Sequence, residues 1–268
     1  MSGSVLVPLD GSARARSALG VGALLSTCLA CGLHALRAGE PDEDEDALRA
    51  ALAAEVDATG VHADRLHVTT TLAPADAIVQ VAAGLAHPII CLTTRGHGDV
   101  RAALLGSVST AVLARTAAPM VLLGPRAADA PPRALSRILV ALDGSLTAEA
   151  VLPTAVVWAR SLDLPITLLH VAEPADRRGG EPSDVVVSVA QQYRGAGLRL
   201  TTSVRSGQDP AAVIAACADE QPGTLLAMAS HGRSGMRRVL LGSVTADVVR
   251  RAAAPVLTVR PASLTAAA

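Results

Sequence analysis

Residues 5–12 read Val-Leu-Val-Pro-Leu-Asp-Gly-Ser, and residues 138–145 read Ile-Leu-Val-Ala-Leu-Asp-Gly-Ser. Each is an apolar run of strand length closed by an Asp-Gly turn, and each is followed far downstream by Leu-Leu-Gly-Ser-Val, at 104–108 and 240–244. The copies are offset by 133 residues at the first landmark (5 to 138) and 136 at the second (104 to 240), so few net insertions separate them. The repeat is domain-sized: solenoid periods run at about 20–50 residues, whereas ordinary domains begin near about 100. The expected organisation is therefore a first domain over 1–126, a linker over 127–136 containing Asp-Ala-Pro-Pro-Arg, a second domain over 137–262 and a disordered tail over 263–268.

Half of the 268 residues are hydrophobic, yet there is no Phe, one Tyr (Tyr193) and one Trp (Trp158). Val, Leu, Ile and Ala must then fill the cores. Such a chain has no stacking platform for bases and no aromatic cage for cations, which argues against single-stranded nucleic acid as a partner. A net charge of −1 and a pI near 6.6 leave no electrostatic footprint for nucleic acid or an anionic membrane. No stretch approaches the roughly 18 unbroken apolar residues of a membrane span. Residues 18–33 are apolar but are interrupted by Ser26, Thr27 and three Gly, and read as a buried helix. The N-terminus enters a strand pattern without a charged and then apolar leader, and the four cysteines add no secretory signal, so a cytoplasmic location is expected. Cys28 and Cys31 form a Cys-x-x-Cys pair, but a metal site would want a second pair, and Cys91 and Cys217 stand alone. All four are expected to be small core residues, with no metal.

Each half alternates strand-like and helix-like runs as β-α-β-α-β-α-β-α-β, the pattern of a parallel α/β sheet. In the first half, strands are expected at 5–9, 33–37, 66–72, 88–93 and 120–123, with helices at 13–31, 46–57, 75–84 and 107–114. In the second, strands are expected at 137–142, 165–171, 198–204, 224–229 and 255–259, with helices at 146–161, 183–193, 209–218 and 243–252. The strand at 33–37, Leu-His-Ala-Leu-Arg, is atypical because it carries no β-branching. The acidic run 40–46 lacks the EF-hand pattern and reads as a solvated loop entering a helix N-terminus.

Doubly wound sheets bind ligands beyond the carboxyl ends of their strands, where the strand order reverses. Two loops in each half reach that edge: Asp10-Gly11-Ser12 and Asp143-Gly144-Ser145 after the first strand, and the glycine-bearing loops after the fourth. The fourth-strand loops run Thr93-Thr94-Arg95-Gly96 to Gly106-Ser107, and Ala229-Ser230-His231-Gly232 to Gly242-Ser243, with nine residues between the glycines in each. Residues 96–119 and 232–255 are identical at twelve of 24 positions. Glycine lets a backbone approach a ligand closely, and a helix starting at Gly-Ser offers free amides and a favourable dipole to an anion. Ser107 and Ser243 would add hydroxyls, and Asp10 and Asp143 would accept from ribose hydroxyls. The plainer alternative is that each Ser caps its helix and each Asp-Gly turns the chain.

The combination of Ser-His-Gly-Arg-Ser-Gly at 230–235, Leu-Leu-Gly-Ser-Val and Ala-Ala-Pro-Val-Leu-Thr-Val-Arg at 253–260 resembles the universal stress protein family. The resemblance covers nearly the whole chain, in tandem form. It implies two doubly wound, five-stranded parallel sheets, Rossmann-like and similar to the adenine-nucleotide α-hydrolase group, related by a pseudo-two-fold axis, with the last strands as the seam. It also implies ATP, alone or with Mg2+, held in each half. In the first half the implied contacts are Pro8, Asp10, Ala38, Thr93, Gly96, Gly106, Ser107 and Val108. In the second they are Ala141, Asp143, Val171, Ala229, His231, Gly232, Gly242, Ser243 and Val244. Adenine would rest near Ala38 or Val171. The family pattern opens on a Gly where this chain has Thr93 and Ala229, and the β-branched Thr93 makes the second site the tighter of the two.

His231 has no counterpart, since Arg95 takes its place in the first half, so no catalytic residue is expected. The function expected is a cytoplasmic ATP-binding stress-response or signalling protein whose nucleotide occupancy modulates conformation or the binding of a regulated protein partner. It would act as a monomer paired internally or as a homodimer. No Gly-Lys-Ser or Gly-Lys-Thr is present to clamp phosphates, which argues against an efficient ATPase and leaves slow hydrolysis open. An interaction protein with one or both pockets empty is an alternative. An adenylating enzyme of the same fold group is a weaker one, because Asp-Gly-Ser stands where those enzymes resemble Ser-Gly-Gly-x-Asp-Ser.

Overall fold

The computed structural model describes residues 3–94, 106–172, 182–195, 197–230 and 241–260. It divides into two compact units, 1–133 and 134–268.

The first unit runs β1 (Ser4–Pro8), α1 (Ala13–Leu29), β2 (Gly32–Ala38), α2 (Glu45–Asp57), β3 (Arg65–Thr69), α3 (Pro74–Ala83), β4 (Pro88–Thr93), α4 (Ser107–Arg115), β5 (Met120–Leu123) and α5 (Pro125–Asp129). All strand pairings are parallel, in the order β3-β2-β1-β4-β5. The order reverses between β1 and β4. The atypical β2 is a full strand because it is inserted between β1 and β3, pairing Val5 with Leu33 and Leu36 with His67. Tertiary pairing here overrides weak propensity. Leu6, Ile90 and Leu122 are fully buried in three adjacent strands. Helix α1 packs close on β1 at Gly22, where a Cβ would lie 2.5 Å from Val7 Cγ2.

The second unit runs β6 (Arg137–Leu142), α6 (Leu146–Glu149), α7 (Leu152–Ser161), β7 (Ile166–Ala172), α8 (Pro182–Gln192), β8 (Leu200–Ser206), α9 (Pro210–Asp219), β9 (Thr224–Ala229), α10 (Ser243–Arg251) and β10 (Val256–Val259). Its parallel order is β8-β7-β6-β9-β10, with the reversal between β6 and β9. Ile138, Leu168 and Leu226 are fully buried at its centre.

Four expectations are corrected. The single helix over 146–161 is two, α6 and α7, because Pro153 has no N–H to give Glu149 and sits instead in the first turn of α7. The third strand of the second unit lies two residues later than expected, where β8 pairs along all of β7 from Ile166↔Leu200 to Ala172↔Ser206. Part of the stretch read as linker is helical: Ala127 and Ala128 of α5 are buried, and Ser17 Oγ donates to Ala128 O at 2.6 Å. Only Cys91 and Cys217 are buried; Cys28 is exposed and Cys31 half-buried, because the last turn of α1 emerges from the core. The acidic run is exposed, as expected, and leads into α2, whose N-cap Asp44 accepts from Asp46 N and Ala47 N. Among the described residues no cluster of His, Cys, Asp and Glu could hold a metal ion, and no helix is long and apolar enough to cross a membrane. The tail over 263–268 lies outside the described residues.

Candidate functional site

The loop after the first strand has the same backbone turn in the two units. Gly11 and Gly144 both take φ +82°, a left-handed conformation that favours glycine. Asp10 Oδ1 accepts from Ser12 N at 3.0 Å, and Asp143 Oδ1 accepts from Ser145 N at 2.9 Å. In the second unit Ser145 Oγ also donates to Asp143 Oδ1, at 2.6 Å. The same serine hydroxyls cap the helices that follow, accepting from Ala15 N and Ala148 N at 3.1 Å each. One short turn thus fixes an aspartate at the carboxyl edge of the sheet and starts a helix.

Across the strand-order reversal stands the second loop. Its ends are joined in each unit: Gly106 N donates to Thr94 O, and Gly242 N donates to Ser230 O, both at 2.6 Å. A Cβ on Gly106 would lie 2.7 Å from Thr94 O, so a side chain is excluded by contact and not by backbone conformation. Gly106 and Gly242 are themselves the N-caps of α4 and α10, with no side-chain cap bond. This corrects the plainer alternative for the serines: Ser107 and Ser243 are exposed residues of the first turn, not caps. The first amides of a helix have no partner within it. Below them, Ser109 Oγ donates to Gly106 O at 2.9 Å, and Thr245 Oγ1 donates to Ala229 O at 3.1 Å, holding each junction from inside.

The remaining predicted positions fall at the same strand ends. Pro8 closes β1, Ala38 closes β2 and Thr93 closes β4, all half-buried. Ala141 and Ala229 are buried near or at the ends of β6 and β9, and Val171 is half-buried near the end of β7. Val108 is half-buried and Val244 exposed, one residue into their helices. Gly96, His231 and Gly232 lie outside the described residues, as does Arg95.

A charged group beside the first loop escaped the reading of the sequence. Arg37 packs on Gly11, where a Cβ would lie 2.8 Å from its Nη2. It pairs with Glu55 at 3.3 Å, and Arg16 faces the other oxygen of that buried carboxylate at 3.7 Å, beyond hydrogen-bond length. Arg16 Nη1 also donates to Gly11 O at 3.4 Å. At the same offset the second unit has Glu149 for Arg16 and His170 for Arg37. The buried His170 donates from Nδ1 to Leu142 O at 2.9 Å. The signal was present in the aligned halves, as two changes of charge beside an otherwise repeated turn.

Doubly wound topology, a duplicated unit and a glycine-capped helix beside each strand-order reversal define a tandem α/β protein of the Rossmann-like class. The model of the universal stress protein family matches residues 1–124 and again 135–260, and the chain belongs to that family. A universal stress protein from Archaeoglobus fulgidus DSM 4304 is similar over 97% of this chain and 99% of its own, at 21% identity and a TM-score of 0.67. A putative universal stress protein from Pseudomonas aeruginosa UCBPP-PA14 is similar over 98% and 95%, at 17% identity and a TM-score of 0.67. At these identities the shared property is the fold. No curated protein sequence matches the chain.

Proposed function

We propose that the chain is an ATP-binding protein of stress response or signalling, acting in the cytoplasm, in which nucleotide occupancy modulates conformation or the binding of a protein partner. The observation that carries this reading is the pairing, in both units, of an Asp-Gly-Ser turn with a helix whose N-cap is a bare glycine. Uncapped amides at a helix start suit phosphate oxygens. Asp10 and Asp143 would hold ribose, Ala38 and Val171 would border adenine, and Ser107 and Ser243 would add hydroxyls to the phosphates. When bound, ATP supplies negative charge at the two helix starts, with Mg2+ as an accompanying counter-ion. These residues bind and orient the nucleotide, and no group is assigned to cleave it. Thr93 at the edge of the first site, against Ala229 in the second, makes the second site the tighter.

The test is nucleotide extraction. Protein purified without added nucleotide and then denatured is expected to release ATP or ADP, up to two per chain. Nucleotide-free protein whose melting temperature is unmoved by millimolar ATP would refute the proposal.

A further inference from the structure

The first unit carries a half-open cavity of about 390 Å³ beside its edge strand β3, between that strand and α3. Its polar wall includes Arg49, Arg65, His67 and Thr69, and its apolar wall includes Leu36, Leu72 and Val81. The register explains the convergence. Pairing of His34 with Arg65 and of Leu36 with His67 sets His34, Arg65 and His67 on one face of the β2–β3 ribbon. Arg49 arrives from α2, its Nη1 donating to Leu66 O at 3.0 Å. The two imidazoles lie nearly parallel, 18° apart, with His34 Nδ1 3.0 Å from His67 Nε2, so one ring donates a proton to the other's lone pair.

The cavity wall itself is basic; the nearest acid, Asp64, accepts from Leu33 N at 2.6 Å and raises the pKa of His34 against the larger effect of burial. No Asp or Glu lines it. Among the described residues neither Arg49 nor Arg65 faces a carboxylate, whereas Arg37, Arg115, Arg205 and Arg251 each do. The effect reaches His67, whose pKa is pushed down by burial first, then by His34, Arg65 and Arg49. The second unit shows that the fold does not need these groups. At the equivalent register it has Thr167, Thr201 and Ser203, and Thr167 and Thr201 share a hydroxyl contact of 3.1 Å. A volume near 390 Å³ is in the range of small-molecule pockets, about 300–1,000 Å³.

We propose that this cavity binds a small organic anion, with its oxyanion head on Arg49, Arg65 and His67 and its carbon skeleton against Leu36, Leu72 and Val81. Guanidinium and imidazole N–H groups donate equally well to a carboxylate or a phosphate as that head. The inference is independent of the nucleotide reading, because none of these residues belongs to the loops at the strand-order reversal.

The experiment titrates hexyl phosphate, hexanoate and, as a cationic control, hexylamine into the full chain, following the imidazole NMR signals of His34 and His67 and the heat of binding. At least one anion is expected to give saturable shifts at both rings, the tighter one naming the head group, while hexylamine gives none. Arg65→Gln, at an exposed side chain, should weaken binding about tenfold, and removal of the heat is expected in His34→Thr/Arg65→Thr/His67→Ser, which copies the second unit. Absence of saturable shifts with both anions up to about 10 mM, or unchanged affinity in Arg65→Gln, overturns the proposal.

Discussion

Gly242 and Ser230 are joined by a single main-chain hydrogen bond of 2.6 Å that closes the loop between them, and Gly106 with Thr94 repeats it in the first unit. The bond places the start of a helix directly beside the end of a strand. The junction of strand end and helix start is therefore set by backbone.

Gly106→Ala tests that arrangement. The new Cβ would press on Thr94 O from 2.7 Å, and the backbone of the junction must move to admit it. The expected result is loss of one of two bound nucleotides per chain and a destabilisation of about 1–3 kcal/mol. Equilibrium dialysis and denaturant unfolding read the two effects, and an unchanged stoichiometry would show that the loop junction is not the phosphate site.

The two sites should differ by the residue that ends the fourth strand. Replacing Thr93 by Ala removes a β-branched group from a half-buried edge position, and the first site is expected to tighten about fivefold, near 1 kcal/mol. Ala229→Thr should weaken the second by a similar factor. Calorimetric titration of the two variants decides it; affinities that stay put would assign the asymmetry elsewhere.

Ser12→Ala removes the hydroxyl that accepts from Ala15 N at 3.1 Å. Loss of an N-cap costs about 1 kcal/mol. The denaturation midpoint should fall with an unchanged denaturant slope. A midpoint equal to that of the wild type would mean that water replaces the cap at no cost.

The His34–His67 pair gives a pH dependence whose sign is fixed. Burial, the first cause in both rings, lowers their folded pKa values beneath the ordinary imidazole value. The unfolded chain therefore binds more protons as pH falls through about 6.5, and the pair's stabilisation, present at higher pH, is lost on acidification. Unfolding of the wild type and of His34→Thr/His67→Ser, compared from about pH 7.5 to about pH 5.5, should show a steeper fall for the wild type. Parallel profiles would remove the pair as the cause.

The strands at 88–93, 120–123, 137–142 and 224–229 could be read directly because apolar runs bounded by turn residues leave little ambiguity. Repetition supplied the domain count and the loops where ligands are expected. What could not be read depends on partners distant in sequence. The register of β8 is set by β7, the burial of Ala127 and Ala128 by α1, and the charge cluster on Gly11 by Glu55 from α2. The two histidines of the edge ribbon meet only because Leu36 pairs with His67. Pro153 was visible, but its effect was missed because the flanking pattern is helical on both sides. The exposed Cys28 shows the opposite error, a small apolar-looking residue assigned to a core that the helix has already left.

The break at Pro153 gives the duplicated turns helices of different length. In the first unit the turn at Ser12 feeds an unbroken helix of 17 residues, about 26 Å long, that ends near the exposed Cys28. In the second, the turn at Ser145 feeds a helix of four residues before the chain is interrupted. The first turn is thus continuous through helix backbone with the far end of α1, whereas the helical hydrogen-bond ladder after the second is broken within about one turn. A spectroscopic probe on the exposed Cys28 is therefore the label expected to respond when the turn at Ser12 is occupied.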